Sequence, residues 1–494
     1  MKTQVEDQSQ HSAVCTEADI QSAGQETVPG YSRFYRAWVL ALMLLMMTSN
    51  YIDRTIVVVL AEPISREFGL SAFQIGLLGG PAFALVYVVM GILIAHLSER
   101  SNRVRIIGAA IIVWSAMTVM CGLAGSYLQL LGARMGVSIG ESGAFPPAQS
   151  LVADYFPPET RASAISILLF GVGAGSILGA AIGGYAGEAW GWRAALLIVG
   201  APGFALGLLF LLAVREPPRG HQDARGSVPV SERAPFLDTA RRLFTNPVFV
   251  HLSLGAGIAT FALQALVTFE STFFVRKFSV SLGLSGLLVG LTTGLSLVAG
   301  PLIGGFVSDA LAQAGKRWHI WAPAIAMGLA APVYAIAFAQ STWQWSAAIL
   351  LIGGWLPFFY SAPAQATIQN MCHSRMRATA IALYVAVIGT IGLAGGPVVV
   401  GALTDAIAAS RFDGGDYRML CQRGTGALRD GEACRNAATS GLQITLMGSF
   451  TLFLWAALHL GLAARAVRRG VTMGFADGKA VRGTDGIDHD LAAR

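Results

Sequence analysis

The sequence predicts an all-α integral membrane protein of twelve transmembrane helices, arranged as two pseudo-symmetric six-helix bundles. Three observations carry that expectation. Of 494 residues, 54% are hydrophobic and only 13% are charged, about half the roughly 25% charged share of a soluble domain. Apolar runs of about 20 residues, the length needed to cross a bilayer, recur along most of the chain. The later runs also repeat residue patterns of the earlier ones.

The first thirty residues are polar and contain no short apolar core followed by a small-residue cleavage site. Residues 1–35 are therefore expected to be a disordered cytoplasmic tail, with no signal peptide removed. The apolar runs follow in order: Ala37 to Leu60, Phe73 to Leu97, Val104 to Gly125, Leu128 to Ala153, Ala162 to Gly187 and Ala194 to Val214 in a first bundle, residues 36–214. A segment rich in charge, Pro and Gly from Arg215 reads as a cytoplasmic linker, 215–247. Val248 to Val275, Leu282 to Leu311, Ile320 to Ala339, Trp345 to Ile368, Ala378 to Ala408 and Leu442 to Leu462 form a second bundle, 248–467, with an external loop at 409–441 and a tail at 468–494.

Orientation follows from positive charge. With the N-terminus inside, Arg100, Arg103, Arg105, Arg161, Lys316, Arg317, Arg375 and Arg377 fall in short cytoplasmic loops, and more arginines fall in the linker and C-terminal segment. The opposite short loops hold Arg66, Arg193, Arg276 and Lys277. The positive-inside rule places both termini in the cytoplasm. The net charge of +6 is read the same way, because no basic stretch is interleaved with aromatics as nucleic-acid binding requires. Cys421 and Cys434 lie in the external loop, where disulfides persist, and are expected to be bridged.

The repeat is specific. "PAQSLVADYFPPETRASAISI" from Pro147 and "PAQATIQNMCHSRMRATAIAL" from Pro363 share P-A-Q and then R-A-[ST]-A-I at the same distance, without a gap. The second and eighth runs both end in an acid followed by basic residues: Glu99 before Arg100, Arg103 and Arg105, and Asp309 before Lys316 and Arg317. Parallel six-helix repeats that rock about a midplane site are one of the designs of secondary transporters.

From about Arg36 to Ala464 the chain resembles the major facilitator superfamily, and "NYIDR" in the first run, R-x6-E at Arg134 and Glu141, and "GESGAFPPAQSLVADYFPPETRA" resemble its Spinster branch. The superfamily's second-loop pattern, G-x-L-A-D-R-x-G-R-R, is altered here, with Glu99 for the aspartate and Asn102 for the second glycine. The resemblance implies alternating access and an amphipathic substrate such as a lysophospholipid or sphingoid phosphate. A related branch that moves organic anions with protons also carries N-Y-x-D-R, so an organic-anion symporter stays open, as does a membrane sensor that binds without transporting.

Other classes fit poorly. "GVGAG" from Gly171 lacks the preceding strand of a dinucleotide site and reads as close helix packing. No H-E-x-x-H pair occurs, and the histidines His96, His251, His319, His373 and His459 are scattered at helix ends, so no metal site, cofactor or enzyme activity is expected.

The charges inside the membrane define the candidate site. A charged side chain at a bilayer centre costs at least about 2.5 to 3.5 kcal/mol, so such residues are rare and usually functional. Asp53 and Arg54 project about 100° apart and need separate partners. Arg134 matches Asp53 in depth, and Glu141, seven residues on, shares Arg134's face about 10 Å deeper. The expectation is that Arg134 pairs with Asp53 and Arg54 with Glu141. Glu141, then Asp53, are the proton-coupling candidates, because an acid held by a competing arginine can exchange that partner for a proton. Helix cohesion alone is the competing reading of the four charges. Arg54, Arg134, Asn50, Tyr51, Glu270, Tyr360 and Tyr384 are the substrate-binding candidates, with Phe261, Phe269 and Trp355 along a tail path. Glu99, Arg100, Arg103 and Arg161, with Asp309 in the repeat, are the gating candidates. The partners implied are the bilayer, protons and a small amphipathic or anionic substrate, with no nucleic acid. A monomer in a bacterial inner membrane is expected.

Overall fold

A computed structural model describes residues 31–219, 236–315, 317–372, 377–422 and 431–468, together with a two-residue antiparallel pair, Phe475–Ala476 and Lys479–Ala480. The expected N-terminal tail up to residue 30, residues 220–235 of the linker and most of the C-terminal tail lie outside the described residues.

Among the described residues, twelve helices are arranged as membrane-spanning segments; ten stretches are long and apolar enough to cross by length and composition alone, one of them holding both α5 and α6, and α4 is added from its place in the bundle. The first six are α1 (Arg33–Val59), α2 (Ala72–Ser98), α3 (Arg103–Gly122), α4 (Tyr127–Ser142 continued by Phe145–Tyr155), and α5 and α6, the two parts of Pro158–Ala213. The last six are α7 (Pro247–Phe278), α8 (Leu282–Ala312), α9 (Trp318–Ala339), α10 (Trp343–Met371), α11 (Thr379–Ser410) and α12 (Glu432–Val467). Local chemistry sets their ends. Ser32 caps α1 by accepting from Tyr35 N–H at 3.1 Å, and Asn246 caps α7 ahead of Pro247, whose missing N–H costs nothing at a first turn. Gly191, at φ 82° and ψ 160°, is the break between α5 and α6, a conformation open to glycine.

Two short helices were not foreseen, Ala61–Phe68 after α1 and Phe236–Thr245 before α7. The expected external loop also shortens, because α12 begins at Glu432 rather than Leu442. The segment EACRNAATSG is rich in alanine and other helix formers, and Cys434 and Ala437 are buried against Ala408 of α11.

Lipid tails are as apolar as leucine, so helices in a membrane associate through close packing rather than water exclusion. Glycines of α5 serve that purpose against α1: a Cβ on Gly175 would lie 2.4 Å from Thr48 O, and one on Gly179 2.8 Å from Ile52 Cα. The same device joins the halves. On α2 and α11, a Cβ at Gly76 would meet Pro397 O at 2.2 Å and one at Gly401 would meet Ala72 O at 2.3 Å. On α5 and α8, a Cβ at Gly286 would meet Ala180 O at 2.2 Å. These two seams, related by the internal repeat, close the end of the molecule away from the chain termini, here called the distal end.

A Gly175→Leu substitution should destabilise by overpacking, a cost of roughly 1–3 kcal/mol or more, and lower the melting temperature in detergent. Gly132→Leu, where nothing lies within 4 Å, should leave it unchanged.

Candidate functional site

A cavity of about 200 Å³ lies between the halves, beneath the distal seams. Its first-half wall carries Tyr51, Arg54 and Thr55 of α1, Phe83 of α2, Arg134 of α4 and Ser176 of α5. Gln264, Val267 and Thr268 of α7, Leu297 of α8 and Leu393 of α11 face them. One wall is cationic and aromatic, the other apolar with an amide and a hydroxyl.

The cationic wall is built on helical spacing. Arg54 turns toward the cavity with 22% of its side chain exposed, and its Nε donates to Glu141 Oε2 at 2.5 Å. Glu141 is fully buried behind it, with Asn50 a polar neighbour. The guanidinium lies over three rings, 5.0 Å from the centre of Tyr51, 4.9 Å from Phe83 and 4.6 Å from Tyr87. Arg134 lies over the same Phe83 ring at 4.6 Å, so one aromatic ring serves two cations.

Asp53 points the other way and is buried at 1% exposure. The expected Arg134–Asp53 ion pair does not form: Arg134 Nη1 donates to the main-chain oxygen of Asp53 at 3.2 Å, because the guanidinium is turned onto Phe83. Neither carboxylate oxygen of Asp53 has a hydrogen-bond partner within normal geometry, and Thr118 and Arg134 are its polar neighbours.

The second-half candidates lie off the cavity wall. Tyr360 is buried with its hydroxyl 2.9 Å from Thr260 Oγ1, and Tyr384 is buried at 1% exposure. Glu270 is enclosed between α7 and α8, where Thr292 and Thr293 bond its carboxyl at 2.7 and 2.5 Å. Phe261, Phe269 and Trp355 are also off the wall, which is made instead by aliphatic residues such as Ile75, Leu78 and Leu297. His251 and His459, read as scattered, meet at 3.0 Å between their Nδ1 atoms.

Of the gating candidates, Arg103 is buried, bonded to Asp154 at 2.5 Å, Glu216 at 2.7 Å and Ser150 Oγ at 2.8 Å. Its bonds tie α3 to α4 and to the start of the linker, whose Arg219 donates to Ser98 O at 2.6 Å. Of the others, Arg100 is exposed, Arg161 donates to Ala153 O at 2.7 Å, and Asp309 is 76% exposed, 3.4 Å from His319. The side chain of Glu99 lies outside the described residues.

Among the described residues, polar links between the halves sit at the distal end, on residues the sequence reading did not select. Asp405 of α11 accepts from the N–H groups of Ala72 and Phe73 at 3.0 and 2.9 Å, capping α2 from the opposite half. Glu62 accepts from Arg276 at 2.8 Å, and Glu188 from Gly283 N–H at 2.6 Å. Gln422, beside Cys421 of the Cys421–Cys434 disulfide, donates to Asp405 at 2.9 Å. An acid near the end of a predicted span was the available signal for these residues, just past it for Glu62 and Glu188 and within its last turn for Asp405, and Phe83 with Tyr87 was legible as an i, i+4 aromatic pair.

Asp405→Asn removes the charge and one acceptor from the α2 cap. In a Gln264→Cys background, labelling by a membrane-impermeant thiol reagent from the distal side should rise several-fold. Unchanged labelling would show that the cap does not hold the halves together.

Glu67, on the distal surface, supplies a pH dependence. Burial alone pushes its carboxyl up, but hydrogen bonds from Arg193 and Trp192 outweigh this and hold it below the ordinary glutamate value. A depressed carboxyl contributes stability above its unfolded pKa and loses it as pH falls through the folded one. The melting-temperature gap between wild type and Glu67→Gln should therefore narrow on acidification below the ordinary glutamate range.

Comparisons with known proteins agree with this architecture. The Major Facilitator Superfamily profile matches residues 43–407. An MFS-type efflux pump of Mycolicibacterium smegmatis is 33% identical over 379 residues, 75% of this chain and 85% of that protein. Human protein spinster homolog 1 is 27% identical over 402 residues, 78% of this chain and 76% of the relative. The crystal structure of a bacterial homologue of the human lysosomal transporter Spinster, inward-facing and unoccupied, superposes with a TM-score of 0.81 at 32% identity, covering 89% of this chain and 99% of that one. A polytopic helical protein with paired half-to-half seams around a central cavity, and with these relatives, belongs to the major facilitator superfamily, as a transporter related to Spinster that works by alternating access.

Proposed function

We propose that the protein is a proton-coupled carrier of an amphipathic molecule with an anionic headgroup, of the lysophospholipid or sphingoid-phosphate kind. The observation that carries this reading is the Arg54–Glu141 pair on the cavity wall, with the cation partly exposed and the acid fully buried. An anionic headgroup arriving in the cavity competes with Glu141 for Arg54, and Arg134 adds a second cation on the same wall. Glu141, losing its countercharge in a site of low dielectric, takes up a proton. Departure of the substrate reverses the exchange, so substrate and proton occupancy are linked. The aliphatic lining supplied by Ile75 and Leu78 of the first half and Leu297 of the second suits an acyl or sphingoid chain better than a sugar. Asp53, closer to Arg134 and off the wall, is the secondary acid.

In this reading residues 36–214 and 248–467 are the two moving units, joined through 215–247, and act as a monomer. With both termini in the cytoplasm of a bacterial inner membrane, the distal seams are external and the state described is closed to the outside. The similarity to an efflux pump favours a second assignment on the same cavity, export of an apolar anion that is not a lipid.

The test is uptake of a labelled lysophospholipid into proteoliposomes with and without an imposed pH gradient. Wild type should accumulate substrate under the gradient, and Glu141→Gln should lose that accumulation while still exchanging substrate. If neither protein moves lipid under any gradient, the lipid assignment fails and a panel of small organic anions is assayed next. Binding without counterflow would indicate a sensor.

A further inference from the structure

The second half contains a buried acid that the exchange at Arg54 does not use. Glu270 on α7 is completely enclosed, and among the described residues no arginine, lysine or histidine forms an ion pair with it. Arg276 and Lys277 on the same helix are engaged elsewhere, with Glu62 at 2.8 Å and with Phe338 O at 2.8 Å. From α9 the titratable neighbour is Tyr334, whose hydroxyl donates to Gly354 O at 2.9 Å. From α8 come the hydroxyls of Thr292 and Thr293, and on the α1 side the neighbouring Ser271 donates to the Val59 main-chain oxygen at 3.4 Å.

The hydrogen bonds can be counted atom by atom. Thr292 Oγ1 lies 2.8 Å from Leu288 O and 2.7 Å from Glu270 Oε1. A threonine hydroxyl has one hydrogen, and a carbonyl oxygen can only accept. An ionised carboxylate also only accepts, which leaves one of the two contacts without a proton. Both are satisfied when Glu270 Oε1 carries the hydrogen: Glu270 donates to Thr292, Thr292 donates to Leu288 O, and Thr293 donates to Oε2 at 2.5 Å. A neutral acid also removes the cost of an uncompensated charge in the membrane interior.

The local backbone supports this arrangement. Gly290–Gly294 is a π turn in α8, a distortion that recurs at functional sites, and it lets the consecutive Thr292 and Thr293 both reach one carboxyl. Its opposite face meets the first half, where a Cβ on Gly290 would lie 3.1 Å from Ile177 O and one on Gly294 2.8 Å from Ile177 Cγ1. Val267 and Leu297, one helical turn from Glu270 and Thr293, both line the cavity.

We propose that Glu270 is a proton-binding site of the second half, loaded in the distally closed state, with Thr292 as the acceptor of its proton and the π turn of α8 as the element it holds in place. The proton is preferred to a metal cation because both carboxyl oxygens are taken by hydroxyls, where a hard cation needs six or more oxygen ligands. Loss of the proton forces Thr292 to choose between Leu288 and Glu270, which disturbs the turn that carries the α5–α8 contact. The place of this proton in a transport cycle rests on the proposed coupled transport; the proton on Glu270 does not.

Infrared spectroscopy of the full-length protein in lipid bilayers at neutral pH tests the site without a substrate. Wild type should show the carbonyl stretch of a protonated carboxylic acid, absent in Glu270→Gln and retained in Glu141→Gln. Thr292→Val keeps the acid and the side-chain volume but removes its acceptor, and should move the band to higher frequency. Identical spectra for wild type and Glu270→Gln, or an unmoved band in Thr292→Val, overturn the assignment. In the proteoliposome assay, Glu270→Gln should lose most gradient-driven accumulation but keep exchange, and full retention of the gradient response overturns a role in the cycle. A wild type with the band but without gradient-driven uptake sinks the transport reading and leaves the proton site standing.

Discussion

A guanidinium and a carboxylate removed from water each carry a desolvation penalty of several kcal/mol, offset only by good geometry and further bonds. The first half is arranged around that constraint at Arg54 and Glu141. The i, i+7 spacing of α4 sets Arg134 and Glu141 on one face, α1 brings Arg54 to the carboxylate at 2.5 Å, and the rings of Tyr51, Phe83 and Tyr87 shelter the cation. Glycines at Gly136 and Gly140 of α4 allow α3 to come close enough to complete the shell; a Cβ on Gly140 would lie 2.6 Å from Trp114 N. A pair built this tightly is not a surface ornament. One member faces the cavity and the other does not, so a cavity ligand meets the cation first.

The halves themselves meet through a different chemistry. Their seams are close backbone contacts at glycine, supplemented by carboxylates that accept from main-chain N–H groups or an arginine at the distal end. Close packing has a short range, and a shift of an ångström forfeits much of it. Contacts of that kind hold firmly when formed and release completely when the halves rotate, which suits alternating access.

The two halves share a fold and differ in charge. The first holds paired ions. The second holds Glu270 in an uncharged chain of hydroxyls and a carbonyl, next to a π turn. On the cavity, the first half carries both arginines and the second half carries none, with its acid set behind the wall instead of on it.

The sequence by itself determined the membrane class, the twelve crossings, the internal repeat and the Arg54–Glu141 partnership, because hydropathy, helical periodicity and the cost of buried charge act within a helix or between matched depths. Helix ends were less legible where amphipathic segments such as Ala61–Phe68 or the start of α12 carry too little apolar length to register. Only tertiary structure decided that Arg134 turns onto Phe83 and leaves the Asp53 carboxylate aside, that Arg103 binds Asp154 of α4 and Glu216 of the linker, that Tyr360 and Tyr384 are buried off the cavity wall, and that Asp405 caps α2. Those outcomes depend on the rotation and tilt of one helix against another, which close packing at the glycine seams sets and which no spacing within a single helix encodes.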